Sequence, residues 1–188
     1  MVREAALMLV DILFNIYIFV MLLRFFLQLV RADFYNPLTQ LIFKLALPVV
    51  WPLQKVLPPW RNISFAALLG VFILEVLKII VFFSIGTFRL PHVLGAIIWG
   101  AGDMINHVAS LFFFVILLQA ILSWIRPQGA NPVIEILYRL SALLLRPFQR
   151  IIPPIGGFDL SPIPVLIILR MISYFVAVPI MAKGLGMA

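Results

Sequence analysis

Residues Asn131 to Pro162, NPVIEILYRLSALLLRPFQRIIPPIGGFDLSP, decide how this chain folds. They separate two strongly apolar runs, and an earlier stretch repeats their pattern. At an offset of 95 positions, with no gap, Asn131-Pro132 falls on Asn36-Pro37, Pro147 on Pro52, Gln149 on Gln54, Arg150 on Lys55 and Pro153-Pro154 on Pro58-Pro59. Self-similarity at a fixed period is the mark of a repeat, so the chain reads as two copies of one hydrophobic unit.

Composition says what that unit lives in. Hydrophobic residues make up 64% of the 188 positions and charged residues only 11%, too little polar surface to cover a water-soluble globule. Mean hydropathy is +1.18. A spanning helix needs ~20 mostly apolar residues, and four such runs are present, at 5–30, 65–88, 104–125 and 163–182. The expected fold is an all-α membrane protein with four transmembrane helices in two parallel two-helix repeats. Each repeat carries an amphipathic interfacial helix and a proline-bounded turn on the cytoplasmic side. The first unit covers 1–88 with its insert at 31–64, a linker covers 89–103, and the second unit covers 104–188 with its insert at 126–162. With no cysteine in the chain, disulfides, thiolate metal sites and covalent haem attachment are excluded.

The net charge of +7 is concentrated in the inserts: Arg31, Lys44, Lys55 and Arg61 in the first, Arg126, Arg139, Arg146 and Arg150 in the second. Membrane proteins collect Lys and Arg in cytoplasmic loops, so the excess is explained by topology and no nucleic acid is expected. Both inserts are expected in the cytoplasm and both termini outside. The first apolar run is too long for a signal peptide, contains Asp11, Asn15 and Arg24, and lacks a small-residue cleavage site; it is expected to be retained. Asp11 and Gln28 read as polar groups near helix ends that reach water.

Each insert opens with Asn-Pro, in which the Asn side chain caps free N–H groups and Pro takes the first helical position at no loss of a hydrogen bond. Helices are therefore expected from Pro37 and Pro132. After Pro132, the residues Val133, Ile136, Leu137, Leu140, Leu143 and Leu144 follow helical spacing, with Glu135, Arg139 and Arg146 opposite; this predicts an in-plane helix of about fourteen residues. In the first copy Pro48 is expected to end the helix early. Pro52 and Pro147 would each start a separate turn. Lys55, Arg146 and Arg150 are candidates for contact with anionic lipid or a partner, or else they only set topology. Gly156-Gly157 permits a tight turn, and Asp159 or Ser161 caps the last helix before Pro162. Ser64 occupies the Asp159 position in the first copy.

Charges within spans are costly, which singles out Glu75, Lys78 and Arg170, with Arg24 as a further cation. Glu75 and Arg170 stand 95 apart and are repeat-equivalent. They are expected to meet at the interface between units, or Lys78 satisfies Glu75 one turn away. Such a cluster either fixes helix register or lines an ion pathway. His92 and His107 have no partner at ligand spacing, and residues 89–103 read as a loop with Trp99 as an aromatic anchor. No catalytic pattern, metal site or cofactor motif is present.

The segments Pro52-Leu-Gln-Lys-Val-Leu-Pro and Arg146-Pro-Phe-Gln-Arg-Ile-Ile-Pro-Pro-Ile-Gly-Gly-Phe-Asp-Leu-Ser-Pro162, each preceding a span, resemble the signature of the YggT family, also called YlmG. The resemblance covers essentially the whole chain as two tandem units. In the first copy Trp51 replaces the basic residue before Pro52, and Arg61-Asn62-Ile63-Ser64-Phe65-Ala66 replaces the Gly-Gly element. The resemblance implies a membrane protein that is not an enzyme and is linked to osmotic tolerance, cell division or assembly of membrane complexes. The partners it implies are the lipid bilayer and other membrane proteins or a second copy. A small channel or transporter using Glu75, Lys78 and Arg170 is the competing expectation.

Overall fold

In a computed structural model of the chain, residues 1–87, 90–125, 131–152 and 159–187 are described. Pro153, Gly156 and Gly157 lie outside them. Among the described residues six helices form: α1 (Val2–Leu29), α2 (Pro37–Gln54), α3 (Phe65–Thr87), α4 (Val93–Ile125), α5 (Pro132–Gln149) and α6 (Pro162–Met187), the last with a π-helical turn at Ser173–Ala177. Four of them, α1, α3, α4 and α6, are long and apolar enough to cross a membrane. Within each unit the two spans pack together, α1 on α3 and α4 on α6, and α3 against α4 joins the units.

The core is built from one stripe of each helix. Ile18, Met21 and Leu22 of α1, Ala67 and Val71 of α3, Leu111 and Ile116 of α4, and Leu140 and Leu145 of α5 are essentially fully buried. Phe26 and Phe112 meet edge to face at 4.7 Å where the units cross. Leucines and isoleucines on the other faces, such as Ile73, Leu118 and Ile167, are exposed. That is the expected arrangement where the surrounding solvent is hydrocarbon.

The inserts begin as their chemistry demands. Asn36 Oδ1 accepts from the backbone N–H groups of Leu38 at 3.0 Å and Thr39 at 3.4 Å, and Asn131 Oδ1 accepts from Val133 at 2.9 Å. Asn36 does more: its Nδ2 donates to the Pro132 carbonyl at 2.9 Å, tying the start of α2 to the start of α5. Arg139 donates to the Arg31 carbonyl at 3.4 Å. The inserts therefore meet, which puts both at one end of the bundle and makes the units parallel.

Three local expectations are corrected. Pro48 does not end α2, and neither Pro52 nor Pro147 starts a new turn; all three lie inside 18-residue helices. Pro48 and Pro52 are four apart on one exposed face of α2, and Pro147 is exposed on α5, so the rings are accommodated at the surface of the bundle. Second, Ser161 makes no side-chain cap; Asp159 instead accepts from the Ser161 backbone at 2.9 Å and from Gln149 Nε2 at 2.8 Å. Partial burial pushes the Asp159 pKa up, but hydrogen bonds from Ser161 and Gln149 outweigh it and hold the carboxyl below the usual range. Ser64, by contrast, caps α3 by accepting from Ala67 N–H at 3.3 Å. Third, residues 93–103 are not a loop but the first three turns of α4. The glycines that suggested a break are contact points: a Cβ on Gly102 would lie 2.8 Å from Met181 N, and one on Gly100 would lie 2.9 Å from Val76 Cγ2. Trp99 is consequently buried at 8% exposure instead of standing as an interfacial anchor.

The end of α1 is a Schellman turn, with Ala32 N–H bonded to Leu27 O at 2.9 Å and Arg31 N–H to Gln28 O at 3.2 Å. Its left-handed position is held by Arg31 at φ 52°. A side chain there costs about 1–2 kcal/mol relative to glycine. Arg31→Gly is therefore expected to raise the midpoint of thermal unfolding, measured on purified protein by circular dichroism; a fall would show that the arginine side chain offsets its backbone strain.

Candidate functional site

One group of polar side chains from three spans, α1, α3 and α4, gathers between the helices. Asp11 and Asn15 lie four apart on α1, and Asn15 Nδ2 donates to Asp11 Oδ2 at 3.0 Å. Glu75 and Lys78 come from α3, and Asp103, Asn106 and His107 from α4. Lys78 Nζ is the hub: it donates to Asn15 Oδ1 at 2.7 Å, pairs with Asp103 Oδ2 at 3.0 Å and with Asp11 Oδ1 at 3.3 Å, and stands 5.4 Å from the centre of the Trp99 ring. Three helices are thus tied through one ammonium.

Glu75 has no exposed surface and takes neither partner expected from its spacing. Its Oε1 lies 2.9 Å from His107 Nδ1, and that same nitrogen is 3.5 Å from Asp103 Oδ1. Lys78 turns to the carboxylates of α1 and α4 instead. Arg170 is on an exposed face of α6, with its guanidinium 4.0 Å from the centre of the Phe113 ring. Arg24 is buried near the inserts, where it stacks at 4.5 Å over Phe43 and donates to the Phe43 carbonyl at 3.3 Å. Of the four charges singled out, only Glu75 and Lys78 belong to one cluster. Lys55 and Arg150 occupy equivalent positions, the C-caps of α2 and α5, where a cation is favoured by the helix dipole. Arg146 and Arg139 border a cavity of about 340 Å³ beside Val30.

The reading of His107 is also corrected. His107 has a ligand-type partner four residues back on its own helix, Asp103, and a second on α3. Asp11, although half exposed, accepts Lys78. The i, i+4 spacing of Asp103 and His107 was available as a signal. Assigning Asp103 to a linker concealed it.

The repeat organises these contacts. Asp11 is equivalent to Asn106 and Lys78 to Ser173, and both pairs touch: Lys78 with Asp11 as ions, Ser173 with Asn106 through a hydroxyl hydrogen bond. The first unit has charged the contact that the second keeps neutral. Beside them opens a cavity of about 410 Å³, bordered by Asn15, Lys78, Asp103, Asn106, His107 and Trp99.

Fold and site together define a four-span helical membrane protein of two tandem units with a buried polar cluster between them. Residues 4–85 and 98–180 each match the CCB3/YggT family, and the chain belongs to that family. It is 40% identical over 172 residues to an uncharacterized protein YggT of Escherichia coli strain K12, covering 90% of this chain and 88% of the relative. It is 38% identical over 167 residues to an uncharacterized protein in the proC 3' region of Vibrio alginolyticus, covering 88% of this chain and 90% of the relative. No solved structure matches.

Proposed function

We propose that this protein is a non-enzymatic organising factor of a bacterial inner membrane, acting as a scaffold or assembly factor through its two inserts. This is the kind of role that fits osmotic tolerance, cell division or assembly of membrane complexes. The observation that carries the reading is the hydrogen bond from Asn36 to the Pro132 carbonyl, which makes two separate inserts one continuous surface. On it, α2 and α5 act as amphipathic interfacial helices on the cytoplasmic side. Tyr35, Trp51 and Trp60 are exposed there, and Lys55 stacks at 3.8 Å over Trp51. Aromatic and basic side chains in this combination suit a boundary between headgroups and a partner. An ion conductor using Glu75, Lys78 and Arg170 gains no support, since Arg170 is remote from the other two in contact terms and Lys78 is held by three acceptors.

The test is charge reversal of the surface, Lys55→Glu with Arg150→Glu. Retention of phosphatidylglycerol in native mass spectra is expected to fall several-fold, and photocrosslinks from Tyr35 to neighbouring proteins in cells are expected to weaken with it. Unchanged lipid and unchanged crosslinks would reduce these cations to topology signals. Ion flux in proteoliposomes that vanishes in Glu75→Gln would overturn the scaffold reading itself.

A further inference from the structure

We propose that Glu75, Asp103 and His107 form a binding site for one divalent transition-metal cation within the membrane-spanning bundle. Each offers one ligand atom, and these atoms all lie within 4.8 Å of one another. Two bonds of ~2.05 Å at a tetrahedral angle hold their ligand atoms roughly 3.3 Å apart. The observed separations from His107 Nδ1, 2.9 Å to Glu75 Oε1 and 3.5 Å to Asp103 Oδ1, bracket that value.

Glu75 supplies the independent observation. It is wholly buried, yet neither of its oxygens is engaged by an aligned hydrogen-bond donor among the described residues. His107 Nδ1 is close enough to Oε1 but off the line that an N–H···O bond requires. A buried carboxylate oxygen without a donor is strongly disfavoured unless a cation or a proton meets it. The same nitrogen is also 3.1 Å from the Asp103 backbone carbonyl, a contact that a bound cation would replace.

Charge fits the same occupant. Asp11 and Asp103 share one ammonium, Lys78, while Glu75 meets only the His107 imidazole, so carboxyl groups outnumber the lysine in the cluster by three to one. Asp103 divides its oxygens, Oδ2 to Lys78 and Oδ1 towards His107, so ion pair and metal do not compete for one atom. One imidazole and two carboxylates, without thiolate, suit borderline and hard divalent ions of the zinc, manganese and iron type. The adjoining cavity, bordered by Asp103 and His107, gives an entry path and room for a water as further ligand. This inference does not depend on the scaffold reading.

The experiment uses the full chain in nanodiscs, stripped with chelator, incubated with Zn²⁺ or Co²⁺ and desalted. About one equivalent of zinc is expected by elemental analysis, with Co²⁺ giving ligand-field absorption bands and a rise in melting temperature. Glu75→Gln and His107→Gln, each keeping helical content and monodispersity, are expected to lose at least tenfold in affinity together with the cobalt bands. Wild-type protein that holds no zinc and shows no cobalt bands would overturn the proposal, and this outcome does not depend on how the variants fold. Retention equal in wild type and Glu75→Gln would mean an adventitious surface ion only, and would overturn it too.

Discussion

Lys78→Met is expected to lower the stability of the bundle by about 3–5 kcal/mol, the usual range when one partner of a buried ion pair is removed. Methionine fills a similar volume without charge, so the loss falls on the groups left behind. Asp103 is 3% exposed and would be left with no ammonium in reach. Asp11, half exposed, can turn towards solvent and contributes less. The repeat supplies a matched comparison in Ser173→Ala, which removes the equivalent neutral contact to Asn106. Hydrogen bonds between membrane helices average about 0.6 kcal/mol, so that variant should barely move. Unfolding by SDS titration in mixed micelles measures both. The double variant Lys78→Met with Asp103→Leu should recover much of the loss, because replacing both partners removes the stranded charge. If Lys78→Met proves no more damaging than Ser173→Ala, the ion pair does not hold the units together.

Gly184→Ala is expected to have the other large effect, a loss of about 1–3 kcal/mol or more from overpacking. A Cβ at Gly184 would lie 2.5 Å from Trp99 N and 2.8 Å from Gly95 O, both backbone atoms of α4 that have no rotamer to yield. Small residues are how membrane helices approach closely enough for dispersion to hold them, since lipid is as apolar as their side chains. Two residues on, Gly186 has nothing among the described residues within 4 Å of where its Cβ would stand. Gly186→Ala should therefore be neutral or stabilising, up to the roughly 1 kcal/mol by which alanine exceeds glycine in a helix. Opposite signs two positions apart, read by the same SDS titration, would establish the α4–α6 seam. Equal responses would mean that the end of α6 is not packed against α4.

The seam matters for the cluster because it carries α4. Gly100 and Gly102 let α4 approach α3 on one side and α6 on the other, and the same three turns deliver Trp99, Asp103 and His107 to Lys78 and Glu75. Loss of packing at Gly184 should accordingly weaken the polar contacts, although Gly184 touches none of them.

The sequence by itself determined the four spans, the two-unit repeat and the Asn-Pro starts of α2 and α5. These depend on hydropathy over a long window and on side chains bonding to backbone two or three residues away, and such local physics is written in order along the chain. What only the tertiary structure decided is who meets whom. Lys78 could satisfy Glu75 one turn away, yet it bonds to Asp11, Asn15 and Asp103, because helix packing turns it away from its own neighbour. Arg170, equivalent to Glu75 by position, stacks on Phe113 on another face. The glycines of residues 93–103 read locally as breakers and act as contact surfaces, since a missing side chain weakens an isolated helix but admits a neighbouring backbone. Reading them as a loop cut Asp103 from His107. Only the packed bundle restores that pair and sets Glu75 beside it.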